Sequence, residues 1–294
     1  MRTLASLPLS RACLNAYYNS LSIEERSRYH DRYSRLFREG QAMANGAWTV
    51  HFLGKPIRLP LRSAHSWTDW ASALAILGHD PEVKTAYQRL LRSDHPPEVF
   101  LDVGANFGTH SLLFASQGVR TISFEPNARC HAYIVAACEM NGFDIQLEAV
   151  AIGARDGEAE LVFPEDETWL GSIAEEVIGT LRDRPGAASC QKVRLRRLDS
   201  YADMFRGKRV LLKIDVEGSE TSVIEGASRL LSQSTPNIIF ESNDGARRSV
   251  LYALLADHGY VIHDLRQPEA GFDVESFVAS PASNFLATIN PASA

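Results

Sequence analysis

The chain has 294 residues, 45% of them hydrophobic and 22% charged, which fits one sizeable core with an appendage and excludes a fibrous or disordered chain. Its formal charge of −6 removes any general electrostatic attraction to nucleic acid, whose phosphates select basic surfaces. Cys13, Cys130, Cys138 and Cys190 have no C-x-x-C spacing, so neither structural zinc nor a disulfide framework is indicated, and no apolar run approaches the ~20 residues that cross a bilayer. These features predict a cytoplasmic protein with reduced thiols that binds neither nucleic acid nor membrane.

At the start of the chain, Arg2 and a short apolar patch are interrupted by Pro8 and Arg11 before reaching the length of a signal-peptide core. From Ser22 to Phe37, Ile23, Tyr29, Tyr33, Leu36 and Phe37 recur at helical spacing, and Ser22 with Glu25 has the form of a capping box. Trp48 to Leu61 alternates and turns at Gly54-Lys55-Pro56, predicting a hairpin, and helical stretches follow near Trp67–Leu77 and Pro81–Leu91. Residues 1–95 are therefore expected to be a mainly helical N-terminal extension or cap.

After Pro96-Pro97 short apolar runs alternate with helical segments, the pattern of βαβ units feeding a parallel sheet. Strands are predicted at Val99–Val103, Thr121–Phe124, Ile145–Ala151, Val210–Val216, Ile238–Glu241, Val261–His263 and Phe285–Thr288. Between them, helices are predicted at Thr109–Gln117, Ala128–Met140, Glu220–Ser232 and Arg248–His258. The fold class is thus α/β: a doubly wound, mostly parallel, seven-stranded sheet over residues 96–294, with ligands outside the carboxyl ends of its strands. An insertion from Gly157 to Phe205 carries Trp169, Gly171, the Arg184-Pro185-Gly186 break and the basic run Arg194, Arg196, Arg197. Glu158–Phe163 and Lys192–Leu195 are expected to pair, with a mobile loop between them over the site.

The chemistry concentrates at the strand ends. Asp102-Val103-Gly104-Ala105-Asn106-Phe107-Gly108 joins a predicted strand to a predicted helix, and Gly104 and Gly108 permit a tight turn with close backbone approach to a ligand. The next strand ends Phe124-Glu125-Pro126, placing a carboxylate about 20 residues further on, where it can accept hydrogen bonds from both hydroxyls of a ribose. A dinucleotide requires G-x-G-x-x-G, and here Asn106 stands at the second glycine position. Asp102 can meet an ammonium but repels a pyrophosphate, so these residues favour an adenosyl amino acid over NAD. The fourth strand leads into Lys213-Ile214-Asp215-Val216-Glu217-Gly218-Ser219-Glu220, with Lys213, Asp215 and Glu217 on one face, and the fifth ends in Glu241. Asp215, Glu217 and Glu241 can converge as a base, a substrate clamp or oxygen ligands for a hard cation such as Mg²⁺, and the residues alone leave these roles open, as they leave a strand-end ion pair between Lys213 and a carboxylate. His110 can touch a ligand or simply face a solvated groove; His65, His79 and His131 have no metal-triad spacing.

Taken in this order, Asp102 to Gly108, Phe124-Glu125-Pro126, Lys213 to Glu220 and Pro236 to Glu241 resemble the FkbM-type methyltransferases over roughly Val99 to Glu241. The resemblance implies a class I, Rossmann-like methyltransferase fold, S-adenosylmethionine as methyl donor, and a small-molecule acceptor methylated on a hydroxyl of a sugar or secondary metabolite. Asp102, Gly104, Asn106, Gly108 and Glu125 are then the expected donor-binding residues. Asp215 is the expected base or metal ligand, Glu217 and Glu241 orient it, and Lys213 tunes the site, with Asp215 and Glu241 as candidate Mg²⁺ ligands. An NAD-dependent oxidoreductase and a non-catalytic binding protein of the same fold are the alternatives.

Overall fold

Val99–Val103 and Val210–Ile214 are buried at every position, and strands buried on both faces belong in the middle of a sheet covered by helices. A computed structural model describes residues 7–38, 45–165, 167–184, 186, 188–243 and 245–289. Arg2 and Pro185 lie outside the described residues. We number the elements β3 (Val99–Val103), α5 (Thr109–Ser116), β4 (Arg120–Phe124), α6 (Ala128–Asn141), β5 (Ile145–Glu148), β9 (Val210–Ile214), β10 (Asn237–Glu241), α10 (Gly245–Asp257), β11 (Tyr260–Asp264), β12 (Gln267–Gly271), α11 (Val274–Ala279) and β13 (Asn284–Ile289). The large sheet runs β12-β11-β13-β10-β9-β3-β4-β5. β3, β4, β5, β9 and β10 pair in parallel, whereas β13 lies antiparallel between β10 and β11. The chain leaves β3 toward β4 and returns to its other side at β9, so the topological switch point falls between β3 and β9.

The sheet has eight strands, not seven. The extra strand, β12, is an exposed edge of sequence QPEAG, with none of the apolar alternation that marks a strand. The expected strand Ile145–Ala151 is also two pieces. The Glu148 carbonyl accepts from Glu125 N–H at 3.0 Å and Val150 N–H at 2.9 Å, turning the chain. Ala151–Ile152 (β6) then joins a separate sheet, β6-β8-β7, in which β7 (Gly157–Pro164) and β8 (Ala188–Arg196) pair antiparallel with Glu158 opposite Arg194. The expected mobile loop between them contains a helix, α7 (Glu175–Asp183), whose Ile178 and Leu181 are buried with Val162. The expected helix Glu220–Ser232 breaks into α8 (Glu220–Glu225) and α9 (Ser228–Ser234). At the break, a Cβ on Gly226 would stand 2.0 Å from the Gly153 carbonyl oxygen, and the Gly226 carbonyl accepts from Asp199 N–H at 3.0 Å.

The N-terminal residues form α1 (Pro8–Ser20), α2 (Ile23–Arg38), the hairpin β1 (Gly46–Phe52) and β2 (Lys55–Leu61), α3 (Ser66–Gly78) and α4 (Pro81–Leu91). The Ser22–Glu25 box forms in both directions, at 2.8 and 3.2 Å. The hairpin turns at Leu53-Gly54, both in the left-handed region. One apolar cluster runs from Tyr18, Trp48 and Trp70 through Tyr87 to Phe100, Phe114 and Leu211 of the main sheet layer. Asn141 at the end of α6 clasps Arg58 of β2 through both backbone groups, at 2.8 and 2.7 Å. No helix among the described residues is long and apolar enough to cross a membrane.

Gly226 tests the backbone contact that breaks the helix. Gly226→Ala should lower the unfolding free energy by about 1–3 kcal/mol in urea titrations, because the new methyl meets a carbonyl that cannot swing away. Gly179→Ala, on α7 with open space around it, should be neutral or stabilising by up to ~1 kcal/mol. Equal effects at the two positions would show that the close approach at Gly226 is not what holds the break.

Candidate functional site

The glycine loop is shaped by three left-handed residues, Gly104 (φ 82°), Asn106 (φ 48°) and Gly108 (φ 70°). Gly104 has a second constraint, since a Cβ there would sit 1.8 Å from the Asp215 carbonyl oxygen. The loop is thus packed backbone to backbone against the end of β9, and Asp215 N–H donates to the Val103 carbonyl at 3.0 Å. For this reason β9 ends at Ile214, two residues before the strand expected from the sequence, and Asp215 and Glu217 stand in the connecting turn. Glu217 is itself left-handed (φ 48°), held by Ser172 Oγ donating to its carbonyl at 2.7 Å.

Glu125 follows β4 and has 6% of its surface exposed. Its Oε2 accepts from Asn106 N–H at 2.6 Å and its Oε1 from Asn127 N–H at 2.7 Å, which joins it to the glycine loop and leaves each oxygen a second lone pair. Burial pushes its carboxyl up to about 7, although the two N–H donors pull the other way. Together with Gly104, Asn106, Val150, Ile152, Leu161 and Ile173 it lines a narrow chamber that opens to solvent.

A wider chamber of about 1640 Å³, open to solvent, adjoins the narrow one. Gly104, Asn106, Trp169 and Asp215 line both. The wider chamber takes Glu217 and Glu241 from the sheet side, His110 from α5, and Trp67, His79 and Asp80 from the N-terminal helices and the turn between them. Trp169 is held at the junction by its neighbour Thr168, whose Oγ1 donates to Asn106 Oδ1 at 3.1 Å.

Asp215, Glu217 and Glu241 offer carboxylate oxygens that all lie within 4.8 Å of one another. Beneath them Lys213, 2% exposed, donates from Nζ to Asp215 Oδ2 at 2.7 Å. Burial opposes the Lys213 charge, yet Asp215 and Asp102 hold its pKa above the usual value. Asp215 is half-buried, which opposes its charge, but Lys213, with a hydrogen bond from Glu241, holds it below the usual carboxylate range. Glu241 is driven strongly upward by burial and by the Asp215 charge, which favours the Glu241 side for a proton shared by the pair. Burial and the Asp215 charge lift Glu217 to about 7.

Other predicted residues fall outside the cleft. Asp102 is 0% exposed and lines neither chamber; its Oδ2 accepts from Ser111 Oγ at 2.6 Å, and it stands opposite Lys213 in the sheet. Its Oδ1 has no hydrogen-bond partner among the described residues, and burial raises its pKa. Gly108 lines neither chamber and permits the tight start of α5, where a Cβ would meet Ile134 at 3.1 Å. Glu220 accepts from Gly218 N–H at 3.0 Å, within the turn that leads into its own helix. The sequence reading missed Thr168, Asp80 and Tyr87. Asp80 carried one signal, its position before Pro81 at a helix start, and the others reach the site through tertiary packing.

The proton on Glu241 is testable. At neutral pH an infrared difference spectrum should show a protonated-carboxyl C=O band that disappears in Glu241→Gln. Absence of that band in the native protein would mean that Glu241 is ionised and that the cluster balances its charge in another way.

The Methyltransferase FkbM domain model matches residues 102–262. AMB antimetabolite synthetase AmbE of Pseudomonas aeruginosa is 29% identical over 206 residues, 57% of this chain and 10% of that protein. The chain therefore spans about a tenth of the length of that relative. Methyltransferase sdnD of Sordaria araneosa is 26% identical over 189 residues, 55% of this chain and 73% of that protein. Among solved structures, the methyltransferase FkbM from Methylobacillus flagellatus aligns with a TM-score of 0.40 at 16% identity, covering 76% of this chain and 54% of that one. The Thermus thermophilus 16S rRNA N2 G1207 methyltransferase RsmC, solved with AdoMet and guanosine, aligns at 0.42 and 11% identity, covering 84% of this chain and 51% of that one.

Proposed function

The chain belongs to the FkbM methyltransferase family, and on that premise we propose that it moves a methyl group from S-adenosylmethionine to a hydroxyl oxygen of a small-molecule acceptor, a sugar or secondary metabolite. One observation carries this reading: a single cleft has two chambers, and among the described residues Asp215 is the one carboxylate that lines both.

The narrow chamber fits the donor. Glu125 offers two lone pairs at its floor for a ribose diol, and Val150, Ile152, Leu161 and Ile173 give apolar walls for a flat base. Gly104, which has no side chain, brings backbone to both chambers. Asp102 acts beneath this surface, sharing the Lys213 charge with Asp215. S-adenosylmethionine, when bound, supplies a methyl group already activated by positive sulfur. The residues of the chain then have to align the acceptor and take its proton. Asp215 stands at the chamber junction to receive that proton, Glu217 and Glu241 flank and orient it, and Lys213 fixes its position. A nicotinamide dinucleotide fits less well, because the loop lacks the G-x-G-x-x-G spacing that seats a pyrophosphate.

A second reading rests on the same three carboxylates. Their oxygens stand close enough together to be candidate ligands of a divalent cation such as Mg²⁺, and a bound cation would balance the charge that a proton on Glu241 balances otherwise. A chelator separates the two: it abolishes turnover if a cation is used and leaves it unchanged if the cluster works by proton sharing alone.

Two outcomes follow for variants. Glu125→Gln should weaken S-adenosylmethionine binding at least about tenfold by calorimetry, since a carboxylate hydrogen bond is worth about 1.5–3 kcal/mol. In the native protein the affinity should rise with pH through about 7, as Glu125 ionises and becomes the better acceptor, and the variant should lose that dependence. An unchanged dissociation constant would remove Glu125 from the ribose. Asp215→Asn should stay folded, bind the donor nearly normally and turn over at least ~100-fold more slowly, as loss of a general base costs ~10²–10⁴-fold. Near-native turnover would return Asp215 to a structural ion pair.

A further inference from the structure

On α4, Tyr87 is fully buried, with its ring edge-on to Phe114 at 4.8 Å and Phe100 at 5.9 Å. Its hydroxyl reaches one partner among the described residues, His110 Nδ1, at 2.9 Å. That single contact fixes a proton. If Nδ1 carried the hydrogen and donated it, the phenol's own proton would be buried without an acceptor. The phenol therefore donates, Nδ1 accepts, and the imidazole hydrogen sits on Nε2. Burial lifts the phenol well above its usual pKa, so it keeps that proton. The ring stays uncharged: burial, then Lys84 of α4, Lys213 of β9 and His79 before α4, all hold its pKa well below the usual histidine value. Half-buried, His110 lines the wider chamber, and Tyr87 occupies its Nδ1.

We propose that His110, locked in one tautomer by Tyr87, presents a neutral Nε2–H donor to the wider chamber and grips the acceptor's hydroxyl oxygen through it. The inference rests on the methyl-transfer reading and names the recognition chemistry of its acceptor side. Among the described residues no lysine or arginine lines this chamber; His30, His79 and the carboxyls of Asp80, Asp215, Glu217 and Glu241 do. A hydroxyl satisfies both kinds of neighbour, donating its hydrogen to a carboxylate while its lone pair accepts from Nε2–H. An ammonium has no lone pair and cannot take the His110 contact. The chamber thus selects an oxygen nucleophile over a protonated amine, and a helix of the N-terminal region imposes the selection through Tyr87.

The test is long-range ¹H–¹⁵N spectroscopy of the labelled full chain at neutral pH, alone and saturated with S-adenosylhomocysteine, with 1,2-propanediol as hydroxyl probe and isopropylammonium as its charged counterpart. The expected result is a neutral His110 protonated at Nε2, whose Nε2 resonance moves saturably with the diol and not with the ammonium. In Tyr87→Phe the Nδ1-protonated population should grow, and in His110→Phe the diol should no longer bind in the chamber while S-adenosylhomocysteine still does. A ring protonated at Nδ1 or at both nitrogens overturns the proposal, as does an Nε2 resonance that ignores the diol or answers the ammonium equally. The native tautomer decides the point even if a variant fails to fold. Failure to bind S-adenosylhomocysteine would instead overturn the methyl-transfer reading, leaving the tautomer measurable in the free protein.

Discussion

The site depends on one backbone contact, the approach of Gly104 to the Asp215 carbonyl, which no other residue at position 104 would allow. The two connections that meet there come from β3 and β9, adjacent strands whose chains depart in opposite directions along the sheet. A switch point of this kind opens a crevice because neither connection covers the other. Pressing the two turns together sets the distance between everything they carry. The glycine loop holds Glu125 through Asn106 N–H, and the β9 turn holds Asp215 and Glu217, so one contact brings the narrow chamber against the carboxylate cluster.

Beneath that contact lies an arrangement of charge that would be costly without internal balance. Lys213 is almost wholly inaccessible, and an unpaired ammonium there would face several kcal/mol of desolvation. Asp215 at 2.7 Å and Asp102 on the neighbouring strand compensate it, and the upward shift of Glu241 favours a proton that reduces the surplus negative charge above. The cluster therefore presents a limited negative charge at the junction of the chambers. The β6-β8-β7 sheet and α7 close one side through Thr168 and through Ser172, and Arg247 of α10 bonds the Gly218 carbonyl and Glu176 of α7 to close the turn from the other.

The strands that carry the site were legible because they are continuous apolar runs ending in charge, a pattern that only a buried strand with a polar tip produces. Asp102–Gly108, Glu125 and Lys213–Glu241 could be placed at strand ends from that pattern alone. Elements that escaped the sequence reading lack a local signal: β12 is a polar edge, α7 carries two buried residues in nine, and the break at Gly226 depends on Gly153, a residue distant in sequence. The burial of Asp102 below the cleft was equally hidden, since a strand-end aspartate reads the same whether it faces a ligand or a lysine. In the wider chamber, Asp80 was marked only as a helix start before Pro81, and Tyr87 meets His110 through the fold, with no spacing within the chain to announce it.

The central claim is that the narrow chamber takes an adenosyl amino acid and not a dinucleotide. Titration calorimetry of the full chain with S-adenosylmethionine and, separately, with NAD tests it most directly. The account predicts saturable binding of S-adenosylmethionine at one site per chain, reproduced by S-adenosylhomocysteine, and no heat with NAD. Binding of NAD with equal or greater affinity, or no binding of S-adenosylmethionine, would contradict it.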